Sequence, residues 1–193
     1  MRFCDIRPNG KGEGLTTRIA GLVFALCLTS TAAHADLFQW EDAKWRLEIT
    51  GWQGINGGSF DRQSDQGLTL SVEREVPISN RWSVGMKAFP LFLYEDKVND
   101  TIVGVGGGLQ LRYYLTRDSR RGFYLEGGIS GLFHPEKFSG NSSHANFMEE
   151  AGIGYEFERG FTVSLKIAHI SNASVADQNS GVNMVGLSLG YTF

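Results

Sequence analysis

Phe161-Thr162-Val163-Ser164-Leu165-Lys166-Ile167-Ala168-His169-Ile170-Ser171 alternates without a break. Phe161, Val163, Leu165 and Ile167 fall on one side, and Thr162, Ser164 and Lys166 on the other, which is the period of two of a β-strand. Working outward, the same alternation recurs between turn-rich stretches near residues 45–53, 68–76, 82–93, 102–115, 123–133, 147–157 and 183–193, giving eight strands with 161–171. One face of each is oily and the other polar or small: Phe123, Leu125, Ile129 and Phe133 stand against Tyr124, Glu126, Gly128 and Ser130. A soluble sandwich would bury the oily face. Aromatic residues near the strand ends (Trp45, Trp52, Trp82, Phe123, Phe133, Phe157, Phe161, Tyr191) instead match the interfacial girdles of a transmembrane barrel.

The expected fold is therefore all-β, an eight-stranded antiparallel transmembrane β-barrel. The end of the chain, Leu189-Gly190-Tyr191-Thr192-Phe193, resembles the C-terminal signature by which Gram-negative outer-membrane barrels are recognised for assembly. A barrel of this size has room inside only for side chains, so transport is disfavoured. Glu48, Glu73, Lys87, Gln110, Arg112, Glu126, Glu150, Glu156 and Lys166 fall on the inward face as a polar core. Connections after the second, fourth and sixth strands read as short and those after the first, third, fifth and seventh as long. In such barrels the long loops are extracellular.

Residues 1–35 read as a secretory leader. Arg2, Arg7, Lys11 and Arg18 precede an apolar run over 19–28, and Ala33-His34-Ala35 is a small-x-small cleavage site, so a single domain over 36–193 is expected to remain. Cys27 follows bulky Leu26, against a lipid-attachment site. Both cysteines, Cys4 and Cys27, lie in the leader, which leaves no thiol chemistry in the domain. The formal net charge is −3 and becomes more negative once the basic leader is removed, so nucleic acid is not an expected partner.

The oily parity of 161–171 continues into two polar residues, His169 and Ser171. In the last strand, Val185, Leu187 and Leu189 carry the same parity back to Asn183. Polar groups on a lipid-facing wall are costly, so their clustering marks a candidate site. His169 is placed to take the proton of Ser171, with Asn183 holding the other ring nitrogen. On parity alone, interfacial polar residues without chemistry are the better explanation of the cluster.

His169-Ile170-Ser171-Asn172-Ala173, followed by Asn179-Ser180-Gly181-Val182-Asn183, resembles the C-terminal motif of the PagL family of outer-membrane lipid A 3-O-deacylases. The resemblance implies His169 as general base and Ser171 as nucleophile. Two positions depart from the family: Asn183 stands where it has an acidic residue, and Ser174 where a glycine is common. Glu149 has outward parity beside His169 and is an alternative acid. Backbone N–H groups after Ser171, helped by Asn172 or Asn179, would hold the oxyanion, although turn formation explains both asparagines as well.

The resemblance further implies hydrolysis of an ester-linked acyl chain, with lipopolysaccharide (lipid A) as substrate, no cofactor and no metal. The expected location is the Gram-negative outer membrane, among outer-membrane lipid and with a homodimer as the oligomer to consider. A barrel without catalysis, kept for structure or surface binding, is the alternative, and a phospholipase differs only in substrate. His134 and His144, near Glu136, lack metal-ligand spacing and read as solvated surface. Gly104-Val105-Gly106-Gly107-Gly108 lies within a strand and precedes no helix, so it is not a phosphate loop.

Overall fold

The computed structural model describes residues 38–57, 61–97, 100–116 and 120–193. The expected leader and its cleavage point lie outside them. After a 3-10 turn at Trp40–Asp42 come β1 (Lys44–Ile55), β2 (Gln66–Pro77), β3 (Trp82–Asp96), β4 (Asp100–Tyr114), β5 (Gly122–Phe133), β6 (Ala145–Glu156), β7 (Phe161–Ser171) and β8 (Val182–Thr192). Each strand pairs antiparallel with the next, and β8 returns to β1 to close the barrel. Phe193 and Trp45 exchange backbone hydrogen bonds of 2.9 Å at the seam. Closure leaves no strand edge unpaired, as lipid requires.

Alternation sets the two faces. Leu47, Ile49, Leu109, Ile153, Leu165, Leu187 and Leu189 stand exposed on the outer wall, while all nine polar residues assigned inward from the sequence are buried. The interior divides along its axis. Towards the end where β2 joins β3, β4 joins β5 and β6 joins β7 it is ionic: Arg46 bonds Glu75 and Glu156, and Arg112 bonds Glu73, Glu75 and Glu126. Lys166 pairs with Glu48 and Glu126, and Lys87 with Glu150.

Towards the other end the interior is apolar, with Phe89, Phe92, Tyr94, Leu132, Met148, Ile170, Val182 and Met184 packed under Phe138 of the β5–β6 connection. The wholly polar core expected from the sequence is thus only half the interior. Apolar side chains close-packed in an interior this narrow stabilise it by burial and dispersion.

Three other details differ from the sequence reading. Trp52 faces inward and donates from Nε1 to Thr69 Oγ1 at 3.1 Å, because its even parity opposes that of Trp45. The outward aromatics concentrate at the short-turn end, where Phe123, Tyr155 and Phe157 form one run of ring contacts along the wall and Phe161, Tyr191 and Phe193 another. Lastly, both strands run on past the expected boundaries, β3 to Asp96 and β4 from Asp100, so the connection expected to be long is short. Phe89 and Phe92 both point inward, which a register shift around Pro90 allows. Proline lacks the N–H that a regular ladder would use there.

Candidate functional site on the outer wall

One cross-strand row organises the site. Glu149 of β6 lies opposite His169 of β7, which lies opposite Asn183 of β8, and the row ends in Ile129 of β5 and Ile55 of β1. Residues directly opposite have Cβ atoms about 4.5–5.5 Å apart, close enough for short side chains to meet. His169 Nδ1 and Asn183 Oδ1 are 2.7 Å apart. An amide oxygen only accepts, so the ring carries its proton on Nδ1, and Nε2 is left with its lone pair.

Two glycines make room for this pair. A Cβ on Gly181 would lie 2.4 Å from His169 Cε1, and one on Gly57 would lie 2.5 Å from Asn183 Nδ2. The sequence marked Gly181 only as part of a turn and gave no signal for Gly57, which reaches the site from the β1–β2 connection.

Ser171 follows His169 by two residues on the same face and is half-buried opposite Phe147. Among the described residues no hydrogen bond joins it to the imidazole, and Glu149, exposed, makes none to His169 either. A groove of about 500 Å³ opens beside the row between Ile55, Ile167 and Ala151.

Asn172 takes the opposite parity and turns into the loops. Its side-chain amide donates to Asn141 Oδ1 and to the Gln178 carbonyl, and its own N–H donates to Asn179 Oδ1 at 2.8 Å. A turn follows, closed by Val175 N–H on the Asn172 carbonyl, with Ala173 at φ 51° and Ser174 at φ 61°. The structure thus brings His169, Asn183 and Glu149 into one row with Ser171 beyond. Asn179 is exposed and accepts from the N–H of the residue after Ser171, whereas the side chain of Asn172 is spent on the loop.

Loop 134–144 departs from the sequence reading. His134 is buried, stacking edge-on against Phe138 at 4.8 Å, whereas His144 is exposed. The connection folds over the barrel mouth, and that long-range packing left no local mark.

A closed barrel with an oily outer wall, an ionic interior and a polar row set into that wall belongs to the outer-membrane proteins. A profile described as lipid A 3-O-deacylase (PagL) matches residues 38–192. The chain belongs to the PagL family of lipid A 3-O-deacylases, and its place is the Gram-negative outer membrane.

Among solved structures, the outer-membrane enzyme PagL matches at 17% identity and a TM-score of 0.62, over 76% of this chain and 98% of that one. At that identity the likeness shows the fold. Neisserial surface protein A matches at 10% identity and a TM-score of 0.49, over 78% of this chain and 97% of that one. The N-terminal β-barrel domain of Pseudomonas aeruginosa OprF matches at 14% and 0.48, with the same coverage of both chains. No curated protein matches the chain.

Proposed function

We propose that this chain is a serine esterase that removes the 3-O-linked acyl chain of lipid A in the outer leaflet. The observation that carries the reading is the His169–Asn183 hydrogen bond on the lipid-facing wall, which leaves Nε2 free to act as a base two residues before Ser171 on the same face. Ser171 Oγ attacks the ester carbonyl while Nε2 takes its proton. The proton then passes to the departing sugar oxygen, leaving the acyl group on Ser171. Water, deprotonated by the same nitrogen, releases the fatty acid and restores the serine.

Asn183 fixes the ring, and Glu149 is the nearest carboxylate able to replace it. Backbone N–H groups of the turn after Ser171 and the side-chain amide of Asn179 would supply donors to the oxyanion, while Asn172 acts through the turn it holds. The groove beside the row supplies an apolar bed for an acyl chain. In this reading loops 134–144 and 172–181 face outside, the leader over 1–35 is removed, and no metal or organic cofactor takes part.

A second reading, a catalytically weakened barrel, draws on the neutral Asn183 in the family's acidic position. Mass spectrometry of lipid A from Gram-negative cells expressing the chain separates the two. Wild type should produce a species lacking one 3-O-acyl chain, absent with Ser171→Ala and His169→Ala, although both variants still form SDS-resistant barrels. Identical spectra for wild type and Ser171→Ala would overturn the esterase reading.

A further inference from the structure

Four buried polar side chains form a single hydrogen-bonded file across the mouth of the barrel. Asn172 Nδ2 donates to Asn141 Oδ1 at 3.1 Å, Asn141 Nδ2 to Asn146 Oδ1 at 2.8 Å, and Asn146 Nδ2 to His134 Nε2 at 2.7 Å. All four residues are at most 4% exposed. The file joins loop 134–144 and the head of β6 to the residue that follows Ser171.

Its direction is fixed at both ends by backbone groups, which cannot change roles. The Ser143 N–H donates to Asn141 Oδ1 at 3.0 Å, so the Asn141 amide nitrogen must point at Asn146. Asn146 then presents its oxygen to Asn141 and its nitrogen to His134. At the far end His134 Nδ1 meets the Glu136 carbonyl, which only accepts, so the ring proton sits there. Nε2 is an acceptor, and the imidazole is neutral.

We propose that this file positions the β7 end carrying Ser171, and that protonation of His134 uncouples it. The proposal rests on the esterase reading for its link to activity, but not for the coupling itself. A proton on Nε2 sets two donors face to face. Rotating the Asn146 amide only moves the clash to Asn141, whose oxygen is held by Ser143 and Asn172, so one buried bond must be lost. Asn172 is the member whose release frees the nucleophile, because its N–H on Asn179 and its side chain on Gln178 hold the turn after Ser171.

The titratable groups facing the ring agree with a neutral resting state. Glu136 favours the proton, while His144 and, above all, burial oppose it, holding the ring below the ordinary histidine range. Gly104 of β4 and Asn146 of β6 pack against it, neither of them titratable. The neutral form is therefore fully present above the ordinary histidine range, and its contribution is lost as pH falls below that range.

Hydrogen exchange of loop 172–181 in the detergent-solubilised barrel, at about pH 7.5 and about pH 5.5 after correction for intrinsic rates, tests the file. In wild type, acid should speed loop exchange about tenfold, the worth of one buried hydrogen bond. His134→Gln keeps an acceptor for Asn146 and a donor for Glu136 but cannot titrate. Asn146→Asp offers oxygens to both Asn141 and a protonated His134. Each should leave the loop equally protected at the two pH values.

Acid loosening that occurs in wild type and is lost in either variant supports the proposal. Loosening that is absent from wild type, or persists in both variants, overturns it. Deacylation followed in the same samples keeps the two readings apart. A barrel that loosens as described but never deacylates sinks the esterase and leaves the file standing.

Discussion

In the proposed esterase, Asn183 is the residue on which catalysis turns. An amide accepts from Nδ1–H and fixes the tautomer, yet it offers no charge to the imidazolium formed during attack. In a serine protease the loss of that charge cost about 10⁴ in turnover. Asn183→Asp is nearly isosteric, keeps an oxygen 2.7 Å from Nδ1 and adds a charge where Nδ2 lies against Gly57. It should raise deacylation by between about tenfold and about 10⁴-fold. Released fatty acid per barrel measures this, with Glu149→Gln as the companion variant. If Glu149 already serves His169, Glu149→Gln is the damaging change and Asn183→Asp gains little. The identities in this row were legible because the alternation of β7 and β8 has no irregularity. The 2.7 Å contact was not, since it needs the register between strands and the space left by Gly57 and Gly181.

Among the elements, the connection between β7 and β8 stores strain. Ser174 has φ 61°, in the left-handed region that costs a non-glycine residue about 1–2 kcal/mol, and it occupies the position where the family resemblance led us to expect glycine. Its N–H is held by Asn172 Oδ1 at 2.9 Å, which keeps the turn in place. Ser174→Gly should stabilise the barrel by about 0.5–1 kcal/mol, a gain reduced by glycine's greater freedom in the unfolded chain. Urea unfolding midpoints in micelles check this, and a fall in midpoint would refute it.

Strands with two unlike faces were readable for the same reason that they are stable: each residue has one permitted side. The β3–β4 hairpin was not. Glu95, Asp96, Lys97 and Asp100 have loop composition, but Asp96 points inward to accept from Arg62, Ser139 N–H and Ser139 Oγ, partners far away in sequence.

At the scale of the whole molecule, stability rests on a buried charge lattice. Arg112 alone holds Glu73, Glu75 and Glu126, each nearly inaccessible. Arg112→Met leaves Glu73 buried without its ion pair, while Glu75 and Glu126 keep Arg46 and Lys166, so it should destabilise folding by about 3–5 kcal/mol. Ser171→Ala, on the wall, should change it by no more than about 0.5 kcal/mol. Equilibrium unfolding of both variants in lipid vesicles measures the contrast, and equal losses would mean that the interior ion pairs are not what holds the barrel.

The strands themselves are of unequal length: β3 and β4 have 15 residues each, β7 and β8 only 11. At about 3.4 Å per residue and a tilt of about 40°, the difference lowers the wall by about 10 Å on the side of the polar row. The outward residues of that extra length include Glu95 and Thr101, which face each other and are polar, so it is a hydrophilic lip and not a taller apolar band. In the proposed esterase, lipid A would approach His169 and Ser171 from the side that lacks this lip, with no need to be lifted over it.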